Sequence, residues 1–411
     1  MSIFISNKSL IKTIDAPPSK SVAQRVLLAS TLSSFELEIN NIGASDDVLN
    51  ILQICKQLGA KINQLNNKVL IKGKENTPNT HLNVGESGLG VRLTVPIAST
   101  YNREFIINGH GSLLKRPLVQ FASFLPKMGV DILFKNQHLP ITISGKLQGG
   151  NYTVDGSLSS QYISGLLMAL PLVNKNSTLV VKSPTSTPYI DITLDILDFF
   201  NIEIEHQNYK VYHIKGNQTY LPSKSQFTVE GDWSGASFWV VYGLIQKKIT
   251  INGLSPNSHQ ADKAILDVVK QVGGTFQWKQ NQLSITSNQL KPFEFDANHC
   301  PDLFPSLVTL AAAIKGTSII RGVKRLFYKE SNRAVTLQKE FSKLGLKIIL
   351  EDDLMLIKGK GSLLSASVDS NNDHRIAMSL AIATLLTPNG ITINHPNCVK
   401  KSYPNFWLNF N

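Results

Sequence analysis

Cysteine is scarce in this chain, with only Cys55, Cys300 and Cys398 among 411 residues. Their spacing matches no metal-binding pattern, and so few cysteines favour a reduced compartment. No apolar run is long enough to cross a bilayer, and the first residues lack the layout of a signal peptide. These absences predict a cytoplasmic, globular protein with no membrane partner.

Three common catalytic signatures are also missing. The chain has no GxxxxGK[ST] loop, no His/Cys cluster and no Gly-x-Ser-x-Gly turn. Phosphate binding of the nucleotide-triphosphatase kind, a metal site and an α/β-hydrolase nucleophile are therefore not indicated. We expect neither a metal nor a cofactor.

Basic residues outnumber acidic ones, 41 to 29, giving a formal charge of +12. Most lysines are scattered singly, with no dense Lys/Arg tract. A nucleic-acid-binding protein is one alternative, but it would need a basic stripe with interleaved aromatic residues or a reader motif. We find neither, so we expect no nucleic-acid partner.

One pattern recurs five times: an amphipathic helix, a glycine, and two short strands joined by a polar turn. The clearest copy is ILQICKQLGAKINQLNNKVLIKGK at 51–74. The glycine position recurs every 70 or 72 residues, at Gly59, Gly129, Asn201, Gly273 and Gly345. Such a position fits a left-handed helix C-terminus, which asparagine also tolerates. The period predicts about six stacked units, the last completed by the N-terminal segment.

A second class of helix is apolar nearly all round and is predicted to be buried. Examples lie at 160–173, 304–316 and 374–386. They predict central helices surrounded by sheets and outer amphipathic helices, in two lobes of three units each.

Cations and polar residues stand near the predicted starts of these helices, where the helix dipole favours anions. Pro117 suits a first helical position, which would place its neighbour at a helix start, and residues 329 and 333 are spaced to share one helical face. The cations concerned are Lys20, Arg25, Arg116, Lys329, Arg333 and Arg375.

Acidic residues near these cations are fewer. Asp302, Glu330 and Asp373 cannot neutralise all six cations, so the pattern predicts bound substrates that carry phosphate and carboxylate groups. Plain helix capping is the alternative for Ser159, Ser160 and Asp302, and a core position is the alternative for His374.

Nine stretches, in this order, resemble the 5-enolpyruvylshikimate-3-phosphate synthase family over essentially the whole chain. They are PPSKSVAQR, GSLLKRPL, SSQYISGLLMALPL, STPYIDIT, VEGDWSGASFW, PDLFPSL, KESNR, DHRIAMS and CVKKSYPNFW. The resemblance implies an α/β fold of two lobes, each with three βαβαββ units around buried helices (an inside-out α/β barrel). One lobe, at 19–228, would bind mainly shikimate 3-phosphate. The other, at 1–18 plus 229–411, would carry the catalytic aspartate and the cations that bind phosphoenolpyruvate.

The activity that the resemblance implies belongs to chorismate and aromatic amino acid biosynthesis. The enolpyruvyl group of phosphoenolpyruvate passes to the 5-hydroxyl of shikimate 3-phosphate through a tetrahedral intermediate, and phosphate is released. Asp302 would accept a proton, with Glu330 and Lys20 as partners and His374 as a weaker candidate. The resemblance implies a monomer, with the two anionic substrates as its only partners.

The resemblance also assigns binding residues. Shikimate 3-phosphate would contact Lys20, Ser21, Arg25, Ser159, Ser160, Gln161, Ser186, Tyr189, Asp302 and Lys329. Phosphoenolpyruvate would contact Lys20, Gly88, Arg116, Gln161, Arg333, Arg375 and Lys401.

The chain departs from the family pattern at Glu86, where asparagine is usual, at Leu89, where threonine is common, and at Asn332, where aspartate is usual. Leu89 flanks the expected phosphoenolpyruvate pocket, which leaves the response to glyphosate open. A transferase acting on UDP-N-acetylglucosamine is the nearest alternative. That enzyme typically has Lys-Asn where this chain has Lys20-Ser21, and a cysteine near residue 115 that this chain lacks. An inactive relative is a third possibility, against which the retained charged residues argue.

Overall fold

A computed structural model describes residues 1–6, 11–327 and 329–410. The chain forms two compact units by internal contacts. We call Pro18–Val229 the continuous unit, and Met1–Pro17 with Glu230–Asn411 the discontinuous unit. No helix in the described ranges has both the length and the apolar character needed to span a bilayer.

The described residues contain eleven α-helices, joined in places by short 3₁₀ turns. The helices are α1 Lys20–Thr31, α2 Asp46–Gln57, α3 Gly88–Ala98, α4 Gln120–Phe124, α5 Ser160–Ala169, α6 Pro188–Phe199, α7 Trp233–Ile245, α8 Ile265–Gln271, α9 Phe304–Ala313, α10 Arg333–Lys343 and α11 His374–Ala383.

Short strands, three to eight residues long, alternate with these helices. They are β1 Ser2–Ile5, β2 Thr13–Asp15, β3 Leu37–Asn40, β4 Lys61–Leu65, β5 Lys68–Lys72, β6 His81–Asn83, β7 Phe105–Asn108, β8 Val130–Lys135, β9 His138–Gly145, β10 Asn151–Asp155, β11 Ser177–Lys182, β12 Ile204–Gln207, β13 Val211–Ile214, β14 Gln226–Thr228, β15 Lys248–Asn252, β16 Gly274–Lys279, β17 Gln282–Ser287, β18 Glu294–Asp296, β19 Gly316–Arg321, β20 Lys347–Glu351, β21 Leu354–Gly359, β22 Ser367–Asp369 and β23 Ile391–Asn394.

The strands pair into six small sheets, three in each unit, and none of these sheets closes into a barrel within the described ranges. The continuous unit contains the orders β14-β3-β5-β4, β6-β7-β9-β8 and β10-β11-β13-β12. The discontinuous unit contains β16-β17-β15-β2, β18-β19-β21-β20 and the three-stranded β1-β23-β22. The mixed α/β fold and its βαβαββ units are confirmed.

Each four-stranded sheet combines one parallel pair with an antiparallel hairpin. In the second sheet, β6 pairs in parallel with β7, His81 opposite Ile106, while β8 and β9 form the hairpin. At the N-terminus, β1 lies antiparallel to β23 and β2 lies parallel to β15. The prediction that the N-terminal segment completes the last repeat is therefore confirmed.

The repeated glycine positions end helices in the left-handed conformation, as predicted. Their φ angles are +98° at Gly59, +81° at Gly129, +88° at Gly273 and +79° at Gly345. Asn201 adopts the same conformation with φ of +54°. Each repeat therefore turns from helix to hairpin by the same backbone device.

The apolar helices are buried within their own units. Every residue of α11 and of α3 is buried, and α9 exposes only its last residue appreciably.

Two local predictions are wrong. Pro117 does not begin a helix: Arg116 follows a 3₁₀ turn at Gly111–Lys115, and α4 starts only at Gln120. Lys329 and Arg333 do not share a helical face either, because α10 begins at Arg333.

Candidate active site

In the continuous unit, Arg25 links the N-terminal halves of α1, α5 and α6. Its side chain is fully buried. Its Nε donates to Thr193 Oγ1 at 2.8 Å, and its Nη2 donates to the Tyr189 carbonyl at 3.1 Å and to Ser164 Oγ at 3.4 Å. Nη1 donates to the Ser21 carbonyl at 2.9 Å. Neutral oxygens thus hold this cation, and burial lowers the pKa of Arg25 to about 10.

A second set of bonds joins α3 to α1 and α5. Ser87 caps α3 and donates through Oγ to Gln24 Oε1 at 2.9 Å. Arg92 Nη1 donates to the Gly88 carbonyl at 2.8 Å and to Gln161 Oε1 at 3.3 Å. The N-terminal halves of α1, α3, α5 and α6 are therefore held together by these bonds.

Gly88 and Arg116 approach each other closely. A Cβ atom at Gly88 would lie 2.5 Å from Arg116 Nη1, so a larger residue there would displace the end of this guanidinium. Glu86 braces the same region, because its Oε2 accepts from Ser112 Oγ at 3.0 Å and from Ser112 N at 3.3 Å. Glu86, which stands where the family usually has asparagine, thus links the turn before α3 to the 3₁₀ turn Gly111–Lys115.

Lys20, the first residue of α1, has an acidic partner that sequence reasoning missed. Its Nζ lies 2.8 Å from Asp47 Oδ2, and the two side chains are 14% and 3% exposed. Asp47 lies in the first turn of α2, where an acidic residue is commonplace, so its sequence position gave no signal.

The predicted serine positions differ in what they do. Ser159 caps α5, its Oγ accepting from Gln161 N at 3.3 Å, as the capping alternative predicts. Ser160 is buried in the first turn of the same helix, and Ser186 is buried just before α6 with φ of +52°. The roles of all three toward a phosphate stay predictions.

In the discontinuous unit, three cations converge on Asp302. Its Oδ1 lies 2.7 Å from Arg333 Nη1 and 3.1 Å from Lys329 Nζ, and its Oδ2 lies 3.0 Å from Arg375 Nη2. Asp302 lies in a 3₁₀ turn before α9 and does not cap that helix, so the capping alternative for it is wrong. Its side chain is 19% exposed.

Arg333 is the centre of this cluster and is 1% exposed. Besides Asp302, it donates through Nη2 to Glu330 Oε2 at 2.6 Å and through Nε to Asp373 Oδ2 at 2.8 Å. Asp373 also caps α11 by accepting from Arg375 N at 3.0 Å. The starts of α9, α10 and α11 are thus joined through one guanidinium.

Two further predicted residues lie on or beside α11. His374 is buried, with Nδ1 3.9 Å from Asp373 Oδ1. Lys401 is buried in the 3₁₀ turn Pro396–Lys401, which packs against α11.

The cluster makes Asp302 a stronger acid than usual. Burial alone would raise the pKa of its carboxyl, but Arg375, Lys329 and Arg333 outweigh burial and hold that pKa well below its ordinary value. Burial also lowers the pKa of Lys329, an effect that Asp302 opposes. Asp302 is therefore ionised at neutral pH.

The count of protein acids beside these cations was too low. Lys20, Lys329, Arg333 and Arg375 each contact a carboxylate within the fold, and Arg25 is satisfied by neutral oxygens. The count omitted Asp47, and it also omitted the buried Asp262 near Asp302, because both are distant in sequence from their partners.

The chain is similar to a known protein family and to named relatives. Residues 6–410 match the family described as EPSP synthase (3-phosphoshikimate 1-carboxyvinyltransferase). The 3-phosphoshikimate 1-carboxyvinyltransferase of Clostridium kluyveri is 36% identical, covering 99% of this chain and 96% of that protein. The Clostridium perfringens protein of the same name is 37% identical, covering 99% and 97%.

Solved structures share the fold. The EPSP synthase of Acinetobacter baumannii superposes with a TM-score of 0.82 at 24% identity, covering 99% of this chain and 96% of that one. The enolpyruvyl transferase NikO from Streptomyces tendae gives a TM-score of 0.79 at 15% identity, covering 99% and 95%. At these identities the likeness concerns the fold alone.

Proposed function

Because the chain belongs to the EPSP synthase family, it transfers the enolpyruvyl group of phosphoenolpyruvate to shikimate 3-phosphate, and we propose that the clusters described above carry this reaction. The reaction releases phosphate and is a step of aromatic amino acid biosynthesis. Neither the UDP-N-acetylglucosamine enzyme nor a nucleic-acid-binding protein is favoured by the family match. The observation that carries the proposed site is the contact of three cations with the Asp302 carboxylate.

The continuous unit supplies most of the contacts proposed for shikimate 3-phosphate. Ser159, Ser160 and Ser186 offer hydroxyl groups near the starts of α5 and α6, where helix dipoles favour a phosphate. Ser21 and Arg25 are the proposed carboxylate ligands, and Tyr189 lies beside them because its carbonyl accepts from Arg25. Lys20 and Gln161 are assigned to both substrates.

The proposed ligands of phosphoenolpyruvate bind either its phosphate or its carboxylate. The proposed phosphate ligands are Lys20, Arg116, Gln161 and Lys401, with the Gly88 backbone close to Arg116. The proposed carboxylate ligands are Arg333 and Arg375, because a guanidinium presents paired donors that match a carboxylate.

Proton transfer follows from the chemistry of addition and elimination. The 5-hydroxyl oxygen bonds to C2 of phosphoenolpyruvate and loses its proton while C3 gains one. The C2–O bond to phosphate then breaks as C3 returns a proton. We assign the hydroxyl proton to Asp302, with Glu330 and Lys20 as partners that donate or accept in the two steps.

Substrate binding would also change the pKa of Asp302. A substrate carboxylate at Arg333 and Arg375 would compete with Asp302 for the same donors. Weaker contact with those cations would raise the pKa of Asp302 and make it a better base. The fixed cations would meanwhile stabilise the highly anionic tetrahedral adduct.

The assay that tests the function measures phosphate release with each substrate alone and with both. We expect phosphate only when shikimate 3-phosphate and phosphoenolpyruvate are both present, together with an enolpyruvyl product seen by NMR. Absence of both products from the complete mixture would falsify the assignment. A monomeric state and a cytoplasmic location stay predictions.

A further inference from the structure

Asp262 is a buried acid near Asp302 that sequence reasoning did not select. It lies in the 3₁₀ turn Ala261–Ala264 and is 1% exposed. Its Oδ2 accepts a hydrogen bond from Ser234 Oγ, while its Oδ1 is buried and has no hydrogen-bond donor among the described residues. An ionised carboxylate in this place would lack half of its usual partners, which is costly in a buried site.

The segment that carries Asp262 is fastened to the start of α7. Gln260 Nε2 donates to the Gly231 carbonyl at 2.8 Å, and Gln260 Oε1 accepts from Trp233 N at 3.0 Å. Because both bonds are buried, the backbone of this turn is held firmly. Asp262 is therefore held beside the start of α7, where Ser234 contacts it.

The charges around Asp302 balance without Asp262. Lys329, Arg333 and Arg375 supply three positive charges, and Asp302, Glu330 and Asp373 supply three negative ones. Asp262 and Asp232 are further acids whose charges act on Arg375, so protonation of Asp262 removes one negative charge from this group. The group therefore carries one negative charge fewer when Asp262 is protonated than when it is ionised.

We propose that Asp262 is a positioning residue that holds a proton and thereby keeps the Asp302 cluster receptive to the carboxylate of phosphoenolpyruvate. This inference rests on the proposed assignment of that carboxylate to Arg333 and Arg375. Ionised Asp262 would attract Arg375 and repel the substrate, so both effects weaken substrate binding. No contact between Asp262 and the substrate is required.

The groups that face Asp262 explain why its proton is retained. Burial is the largest cause, and the charges of Asp302 and of Asp232, the cap of α7, act in the same direction. Arg375 on α11 and the hydroxyl of Ser234 oppose them. On balance, these groups raise the pKa of Asp262 to about 7. The charge of Asp262 in turn contributes to a raised pKa of the Cys300 thiol.

The test compares KM for phosphoenolpyruvate in the wild type, Asp262→Asn and the control Asp352→Asn, an exposed hairpin residue. Asparagine mimics the protonated acid at every pH. We expect the ratio of wild-type to Asp262→Asn KM to be near one at about pH 6 and to rise by about threefold to thirtyfold by about pH 8.5. The ratio cancels the titration of the substrate itself, and the kcat ratio should stay flat.

A second variant guards against misfolding of the first. Ser234→Ala removes a donor that favours ionised Asp262, so the rise in KM should begin at a higher pH than in the wild type. A KM ratio for Asp262→Asn that does not change with pH would overturn the proposal, as would an unshifted profile in Ser234→Ala.

Potentiometric titration without substrate separates this proposal from the proposed function. Between about pH 8 and pH 6 the wild type should take up close to one proton more than Asp262→Asn does. If the wild type shows this proton but no transferase activity, the proposed function fails and the protonation of Asp262 stands. If the wild type is active but does not take up the extra proton, the proposed role of Asp262 is wrong and the proposed function stands.

Discussion

At the residue scale, the cations are the feature that sequence reasoning identified best and explained least well. Lys20, Arg333 and Arg375 lie at helix starts, as predicted. Their balancing acids could not be assigned, because a pairing such as Lys20 with Asp47 depends on the packing of two helices. A residue type near a helix start is visible in sequence, whereas its partner across the fold is not.

Arg25 gives the sharpest residue-scale prediction. Arg25→Met should lower the free energy of unfolding by about 2–4 kcal/mol, since Thr193 and Ser164 would lose a buried donor. Urea denaturation followed by circular dichroism measures this change. The control Arg103→Met alters an exposed arginine and should cost less than about 0.5 kcal/mol. Equal effects in the two variants would contradict the structural role of Arg25.

At the element scale, the periodicity of the sequence predicted most of the fold. The recurrence that begins at Gly59 predicted five helix-to-hairpin turns, and each has a positive φ at the predicted residue. Helix starts were less accurate, as α4 and α10 show, because Pro117 and Lys329 lie in non-helical backbone. A local pattern predicts that an element exists better than it predicts where the element begins.

The repeated glycines differ in the space beside them, which gives the element-scale prediction. A Cβ atom at Gly59 would lie 2.2 Å from the Asn76 carbonyl oxygen, whereas at Gly129 the nearest atoms lie 3.0 Å away and include the flexible Gln148 side chain. In both alanine variants the left-handed backbone conformation costs about 1–2 kcal/mol. We expect Gly59→Ala to lose at least about 1 kcal/mol more than Gly129→Ala, because a backbone oxygen must move.

Thermal unfolding of the two variants beside the wild type measures this difference. Because both positions lie in the continuous unit, the comparison concerns one body. Equal losses would show that the carbonyl of Asn76 is not held in place.

At the scale of the whole molecule, the repeat period predicted about six units, in two lobes of three. The described residues form six sheets, three in each compact unit. The net charge of +12 was less informative, since a basic surface and a site for anionic substrates give the same total. The family resemblance supplied the reaction, which the family match confirms. The roles of single residues in that reaction stay predictions.

The central claim is that Asp302 accepts and returns protons in an addition followed by an elimination. The most direct measurement follows both substrates in D₂O by NMR, with the wild type, Asp302→Ala and the control Asp352→Asn. We predict deuterium at C3 of the enolpyruvyl product in the wild type and the control, because C3 gains a solvent-derived proton before it loses one. Asp302→Ala should still bind shikimate 3-phosphate, yet lose at least about a hundredfold in turnover. Phosphate release without deuterium at C3, or near-normal turnover in Asp302→Ala, would contradict the account.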